Sequence, residues 1–526
     1  MHSLARFCFC FVANLWISSK LGQAMSVIVA SAIQLMRPAY RSKRKRTRHV
    51  VERSHEKSMD EFAKEVRGAL GVALDLRKLL AISEELVEEY RAKLDLSDIS
   101  MLPSYQHTLP TGKEVGDYLA LDVGGSTFRI ALIRLTGSSN GQDEMWVKKM
   151  KSFVIGKPVR DLKGQLFFDW MAERIEEVLS EYQSTNGNTD RRLGMGLAWS
   201  FPIEQTSPRG GNLLAMGKGF CATHGVEGED LGELIMRSCR ARNLNVEMKA
   251  IVNDGAATLL SQAYRDTSTR MSLILGTGTN AAVYLPKHIL GTGKFGERPQ
   301  SWHEAAKHVL VNSELSMFGG TVLPRTRWDE RLNTEHMLPD FQPLEYMITG
   351  RYLGEILRLI IVEGVEVAGL FNGKMPSRLH EAYTLDTRIL ATFENDTSRS
   401  LAKARSAFLQ AHPLPRPPTL AEMQFVRDVS VLISRRAATY LATALHALWH
   451  LRTEAEGLTP GDASHVTIAC DGTIIEKYPG FRDNCQRTLD ELCALSGAEK
   501  GSVSLAMAPE SSIFGAAVAV ACVEDP

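Results

Sequence analysis

A strand, a glycine turn and a returning strand occur twice in this chain, and that repeat constrains the fold more than any other feature. The apolar run Tyr118–Val123 ends at Gly124-Gly125-Ser126, and Phe128–Leu135 returns with alternating polarity. Met271–Leu275 ends at Gly276-Thr277-Gly278, and Ala281–Leu285 returns. Apolar runs on either side of a glycine tip predict β-hairpins. Segments with helical apolar spacing surround them: 58–96, 168–182, 231–241, 255–265, about 343–364, and 420–452 beyond the proline-rich stretch 411–418. Apolar runs at 193–199, 247–252 and 466–469 predict further strands. Strands and helices mixed in this order predict an α/β architecture. The repeated hairpin predicts two related halves about a cleft.

Charge separates the N-terminal tail from the rest. The chain of 526 residues carries 61 Lys and Arg against 61 Asp and Glu, but residues 1–58 hold 11 basic and 2 acidic residues, leaving 50 against 59 in the body. An acidic body is a poor candidate for duplex binding, which requires phosphate neutralisation, so no nucleic-acid partner is expected for it. Within the tail, apolar residues 7–19 and 21–36 flank Lys20, and a basic run starts at Arg37. Neither apolar piece alone reaches the ~20 residues of a membrane span; 7–36 together does, with Lys20 near one end. A membrane contact through residues 7–48 with the basic flank in the cytosol is one reading. Nuclear import or acidic-lipid contact by RSKRKRTR is a second. A solvated extension, and a start at Met25, are others. A secretory signal is disfavoured, because the basic residues follow the apolar stretch. Eight cysteines form neither a CxxC pair nor a zinc spacing, so reduced thiols are expected.

Four groups of residues have chemical potential, each beside a plainer reading. In Asp122-Val123-Gly124-Gly125-Ser126-Thr127, backbone N–H groups at a glycine tip suit a phosphate, and Asp122 suits Mg2+ held through water; the alternative is an ordinary turn. Gly276-Thr277-Gly278, with Asn280 beyond it, and Asp471-Gly472-Thr473 read the same two ways. Asp254, after the strand ending Val252-Asn253, is either a helix cap or a carboxylate that accepts a proton from a substrate hydroxyl. Ser200 before Pro202, Lys218 between two glycines, Glu314 and Glu345 read equally as surface groups.

The order of these segments carries more than any one of them. LPTGKEVGDYLALDVGGSTFRIALIRL, WSFPIEQ, GNLLAMGKGF, AIVNDGAATLLSQAY, SLILGTGTNAAVYLP, VNSELSMFGG, FQPLEYMITGRYLGEILRL and IACDGTIIEKYPGF together resemble the eukaryotic hexokinase and glucokinase family, from about residue 60 to about 520. The resemblance implies a two-lobed, actin-like (ribonuclease-H-like) ATPase fold with a central sugar and ATP cleft. It implies an N-terminal domain over 59–266, its small lobe mainly 117–252, and a C-terminal domain over 267–526 whose last helix, about 514–524, returns to the small lobe. The implied reaction is ATP-dependent phosphorylation of a hexose at its 6-hydroxyl, the first step of glycolysis. Asp254 is the implied base, with Lys218 and Arg129 offsetting phosphoryl charge. Ser200, Lys218, Asn253 and Asp254, with Asn280, Glu314, Gln342 and Glu345, are the implied sugar ligands. Asp122, Gly124, Gly125, Ser126 and Thr127 form the first implied nucleotide segment; Gly276, Thr277 and Gly278 form the second. Asp471, Gly472, Thr473 and Ser512 complete that set, with ATP and Mg2+ as cofactors and Asp122 holding the metal through water. By family analogy the tail suggests the cytosolic face of the mitochondrial outer membrane, with cytosol or nucleus as alternatives.

Four departures from the family pattern stand out. The first turn reads Gly125-Ser126-Thr127 where Gly-Thr-Asn is usual, and Gly217 stands where a sugar-contacting Thr is usual. Pro208-Arg209-Gly210-Gly211 replaces a polar run. Ser511 and Ile513 occupy positions where glycines are usual, and a β-branched residue does not adopt positive φ cheaply. Ile513 is therefore expected to strain the turn and to fill adenosine space. A catalytically weak or inactive sugar sensor is the alternative these departures raise.

Overall fold

Both glycine hairpins form, and each nucleates a sheet of the same design. The computed structural model describes residues 57–71, 75–137, 144–186, 192–217 and 219–524, within the compact unit His55–Pro526. In chain order the strands are β1 (Leu102–Pro103), β2 (Val115–Val123), β3 (Thr127–Thr136), β4 (Met145–Val154), β5 (Leu193–Trp199), β6 (Ile203–Ser207) and β7 (Gly210–Leu213). They continue as β8 (Val246–Val252), β9 (Thr269–Leu275), β10 (Thr279–Pro286), β11 (His308–Asn312), β12 (Val466–Asp471) and β13 (Val503–Met507). The first sheet has the order β4-β3-β2-β5-β8. The second has β11-β10-β9-β12-β13, with β1 beyond β11. In each sheet the hairpin and its outer neighbour are antiparallel, and the remaining two strands run parallel to the hairpin's first strand. Strands buried on both faces need no polar alternation, which is why β2 is continuously buried from Tyr118 to Val123.

The repeat extends to the helices. The last strand of each sheet leads into a helix, Asp254–Arg265 after β8 and Ser511–Glu524 after β13. These two helices cross against each other and fill the core between the sheets with Ala256, Leu260, Ala516 and Val520. The approach is close enough to demand glycine. A Cβ on Gly515 would overlap the carbonyl of Ala257, and one on Gly196 in β5 would overlap the carbonyl of Ala516. A second core lies between the first sheet and the helices Gln165–Asn186 and Leu231–Ala241. A third, around the second sheet, is threaded by the 36-residue helix Leu420–Ala455, which opens on a capping box of Thr419 and Glu422.

Two helical readings of the sequence change in the structure. The pattern over 58–96 is two helices, Met59–Gly71 and Leu76–Leu96, the second capped by Asp75 accepting from the Lys78 N–H. The pattern over 343–364 is also two, Pro343–Ile348 and Leu353–Val367. The break is a tertiary effect: the Gly350 N–H donates to the Gly276 carbonyl at 2.9 Å, tying this segment to the second glycine turn.

Candidate active site

The first turn is closed by the Gly124 N–H donating to the Thr127 carbonyl at 3.0 Å. It is braced from outside by Arg160, whose Nη2 donates to the Gly125 carbonyl at 2.9 Å. Ser126 at its tip is exposed, and Thr127 begins β3. Asp122 and Arg129 are direct cross-strand partners in β2 and β3. Arg129 Nε lies 2.7 Å from Asp122 Oδ2, and Arg129 Nη1 lies 2.5 Å from Glu510 Oε2. Burial raises the Asp122 carboxyl above its ordinary range; Arg129 opposes this, and the carboxylates of Asp254 and Asp471 add to it. Asp254 and Asp471 are thus both within electrostatic reach of Asp122.

The second and third turns lie side by side. Gly276 faces Thr473, whose N and Oγ1 stand 3.6 Å from where a Cβ would be. Gly472 has φ +116, and a Cβ there would overlap the backbone of Leu275; only glycine lets the third turn press on the second. Thr277 and Thr473 are exposed at the tips. Gly278 makes room for Glu345, whose Oε2 accepts the Thr279 N–H at 3.0 Å.

Asp254 is not the helix cap. Asn253 takes that role, its Oδ1 accepting the Ala256 N–H at 2.7 Å, while Asp254 is the first helical residue and its Oδ1 accepts the Gly255 N–H at 2.9 Å. Capping by Asn253 places the Asp254 carboxylate beyond the end of β8, beside the other strand ends. Asn280 Nδ2 donates to Asn312 Oδ1 at 2.8 Å, and Asn312 Nδ2 donates to Glu314 Oε1 at 2.7 Å. Glu314 has φ +53, and burial holds its carboxyl above the ordinary range, with Asp254 adding to the effect and Asn312 opposing it. Gln342 Nε2 donates to Ser316 Oγ at 3.3 Å. Ser200 directly follows β5, its N–H donating to the Val123 carbonyl at 3.2 Å. Ser512 lies in the first turn of the C-terminal helix. Lys218 lies outside the described residues; beside it, Gly217 and Gly219 have φ +65 and +80, and Phe220 packs beneath Arg160.

Three of the departures have a local structural reason. Ile513 does not strain a turn or line a cleft. It is the third residue of the C-terminal helix and fully buried in the core between the sheets. The positive φ of this segment falls on Glu510, at +53. Gly217 adopts a backbone conformation that a β-branched Thr resists. Pro208-Arg209 forms the tip of the β6–β7 hairpin; a Cβ on Gly210 would overlap Asp230, and one on Gly232 the Arg209 carbonyl.

Sequence reasoning missed Asn312, Glu510 and Arg160. Asn312 carried a signal, a polar residue closing the apolar run that leads to Glu314. Glu510 and Arg160 act only through tertiary contacts and carried none. Among the described residues no three or more His, Cys, Asp or Glu side chains are grouped to hold a metal directly. Carboxylates at strand ends with a single arginine suit a divalent cation delivered on phosphates and contacted through water.

Two family models described as Hexokinase match residues 69–264 and 270–522. Hexokinase-1 of Spinacia oleracea is 30% identical over 452 residues, covering 85% of this chain and 88% of that protein. The hexokinase of Schwanniomyces occidentalis is 29% identical over 472 residues, covering 88% and 92%. Among solved structures, that of hexokinase from Schistosoma mansoni complexed with glucose matches with a TM-score of 0.71 and 28% identity, covering 88% of this chain and 100% of that one.

Proposed function

Since the chain belongs to the hexokinase family, we propose that it transfers the terminal phosphoryl group of MgATP to the 6-hydroxyl of a hexose, with Asp254 as the base. It is a sugar kinase, a phosphotransferase with an alcohol acceptor. Glucose is the proposed acceptor, with fructose and mannose as further ones. The observation that carries the assignment of the base is the cap: Asn253 satisfies the helix terminus, and the Asp254 carboxylate stands among the strand ends that bear Asp122, Asp471 and Glu314.

Each remaining residue has a defined task. Asn280, Asn312 and Glu314 form a relay of fixed donors and acceptors suited to sugar hydroxyls, which both donate and accept. Glu345, held by the Thr279 N–H, joins the sugar side to the second turn. The exposed tips at Ser126, Thr277 and Thr473 offer backbone N–H groups and hydroxyls to phosphate oxygens. Arg129, and Lys218 by resemblance, offset charge on the transferring group, since phosphoryl transfer is mainly positioning and charge stabilisation. Mg2+ arrives with ATP; Asp122 and Asp471 suit its water shell. The apolar residues 7–36 and the basic run after them support a membrane contact with the basic flank in the cytosol; the mitochondrial outer membrane is proposed on family analogy alone.

The test is ADP release by the full chain with MgATP and glucose, fructose or mannose. Asp254→Ala is expected to lower kcat by about 10²–10⁴, the usual worth of a positioned base, while hexose still binds. Turnover by the variant within tenfold of wild type would remove Asp254 from the mechanism.

A further inference from the structure

Ser511 opens the C-terminal helix as Asp254 opens its counterpart, so the internal repeat sets the two residues at equivalent positions. Ser511 is fully buried. Its hydroxyl donates to Asp471 Oδ2 and lies 2.8 Å from Thr258 Oγ1. The Thr258 hydroxyl also reaches the Asp254 carbonyl at 2.9 Å. Each hydroxyl has one proton to give. With that of Ser511 on the carboxylate, the Thr258 proton is shared between Ser511 Oγ and the Asp254 carbonyl. Thr258 thus donates both to the Asp254 carbonyl and toward Ser511, and Ser511 donates on to the Asp471 carboxylate, so the two hydroxyls link Asp471 to the helix that bears Asp254. Gly472, clamped on Leu275, fixes the backbone just beyond Asp471, and Ser511 fixes the side chain. A glycine at 511 could supply no such bond.

We infer that Ser511 is a positioning residue: its hydroxyl aims the Asp471 carboxylate at the nucleotide and ties it to the helix that carries Asp254. The inference rests on the reading above that Asp471 faces MgATP. A hydrogen bond to a charged group is among the stronger ones, and here it acts on a single carboxylate, so its loss is felt on the nucleotide side alone.

The test uses the full chain and its Ser511→Ala, Asp471→Asn and double variants. MgADP binding is measured by calorimetry with glucose present. Glucose binding is measured by intrinsic tryptophan fluorescence without nucleotide, and Tm by scanning. Ser511→Ala is expected to weaken MgADP about tenfold and to leave glucose affinity within twofold. The double variant is expected to bind MgADP no worse than Asp471→Asn, because Ser511 works through Asp471. MgADP affinity within twofold of wild type overturns the inference. So do losses that add in the double variant, or a parallel fall of glucose affinity, MgADP affinity and Tm. A wild-type chain that binds MgADP without turning over sinks the catalytic reading alone, and the binding series still decides the role of Ser511. A wild-type chain that binds no MgADP overturns both.

Discussion

Replacing Ile513 by glycine separates two accounts of the C-terminal turn. If Ile513 filled adenosine space, Ile513→Gly would tighten nucleotide binding. In the structure the side chain has no solvent exposure and packs in the core shared by the two crossing helices. Removing a buried Ile to Ala costs about 2–5 kcal/mol, and glycine in place of alanine inside a helix adds up to about 1 kcal/mol. The total of about 3–6 kcal/mol is a large share of a typical stability of about 5–15 kcal/mol. At about 2.1 cal/mol/K of unfolding entropy per residue, the compact unit His55–Pro526 shifts by about 1 °C per kcal/mol, so a fall in Tm of about 3–6 °C is expected. Scanning fluorimetry of wild type, Ile513→Val and Ile513→Gly should show graded losses, with the valine costing about 0.5–1.5 kcal/mol. MgADP affinity, measured well below the variant's Tm, should stay within about twofold, since no nucleotide contact is removed. A glycine variant that keeps its Tm and binds MgADP tenfold more tightly would refute the assignment of Ile513 to the core.

Two further changes probe the charged groups. Glu510→Gln keeps the side chain's shape but removes the carboxylate now paired with Arg129; both partners are partly exposed, so the pair is worth at most about 1 kcal/mol. The KM for MgATP should fall about two- to fivefold as Arg129 is released toward phosphate, and an unchanged or higher KM would show that Glu510 does not compete there. Glu314 holds its proton to higher pH folded than unfolded, through burial first and Asp254 second. Its contribution to stability is therefore present below the ordinary glutamate value and lost as pH rises through the folded one. Glu314→Gln should raise Tm relative to wild type at pH 7, with the difference closing toward about pH 4; a variant less stable than wild type at pH 7 would contradict this.

What was legible in the sequence was whatever is local. Both hairpins, the strand before Asp254 and the long helix 420–455 follow from apolar spacing and turn residues within a dozen positions. The break at 349–352 was not legible, because its cause is a carbonyl at Gly276, far off in sequence. Asn312 became part of the site through strand register: it stands opposite Ala282 in β10, which brings its amide to Asn280. The reading of Ile513 failed on register too. A positive φ does occur in that turn, but at Glu510, and the helix has begun by Ser511.

The glycines show why the order of the motifs carried more than any single one. Gly472 is demanded by packing against the Leu275 backbone and by its positive φ, so a fold with no ligand would keep it. Gly124 and Gly276 are different. A Cβ at Gly124 would meet only the Thr127 carbonyl, at 3.7 Å, and one at Gly276 only Thr473 and Gly472, at 3.6 Å or more. Those are ordinary contacts, and neither residue needs positive φ. The fold does not require glycine at these two positions, so the absent side chain serves what approaches the turns from outside. They lie on equivalent hairpins of the two sheets. A single glycine turn cannot make that distinction. Two equivalent turns with no packing reason for their glycines fit the site proposed above, in which a phosphate chain is received between them.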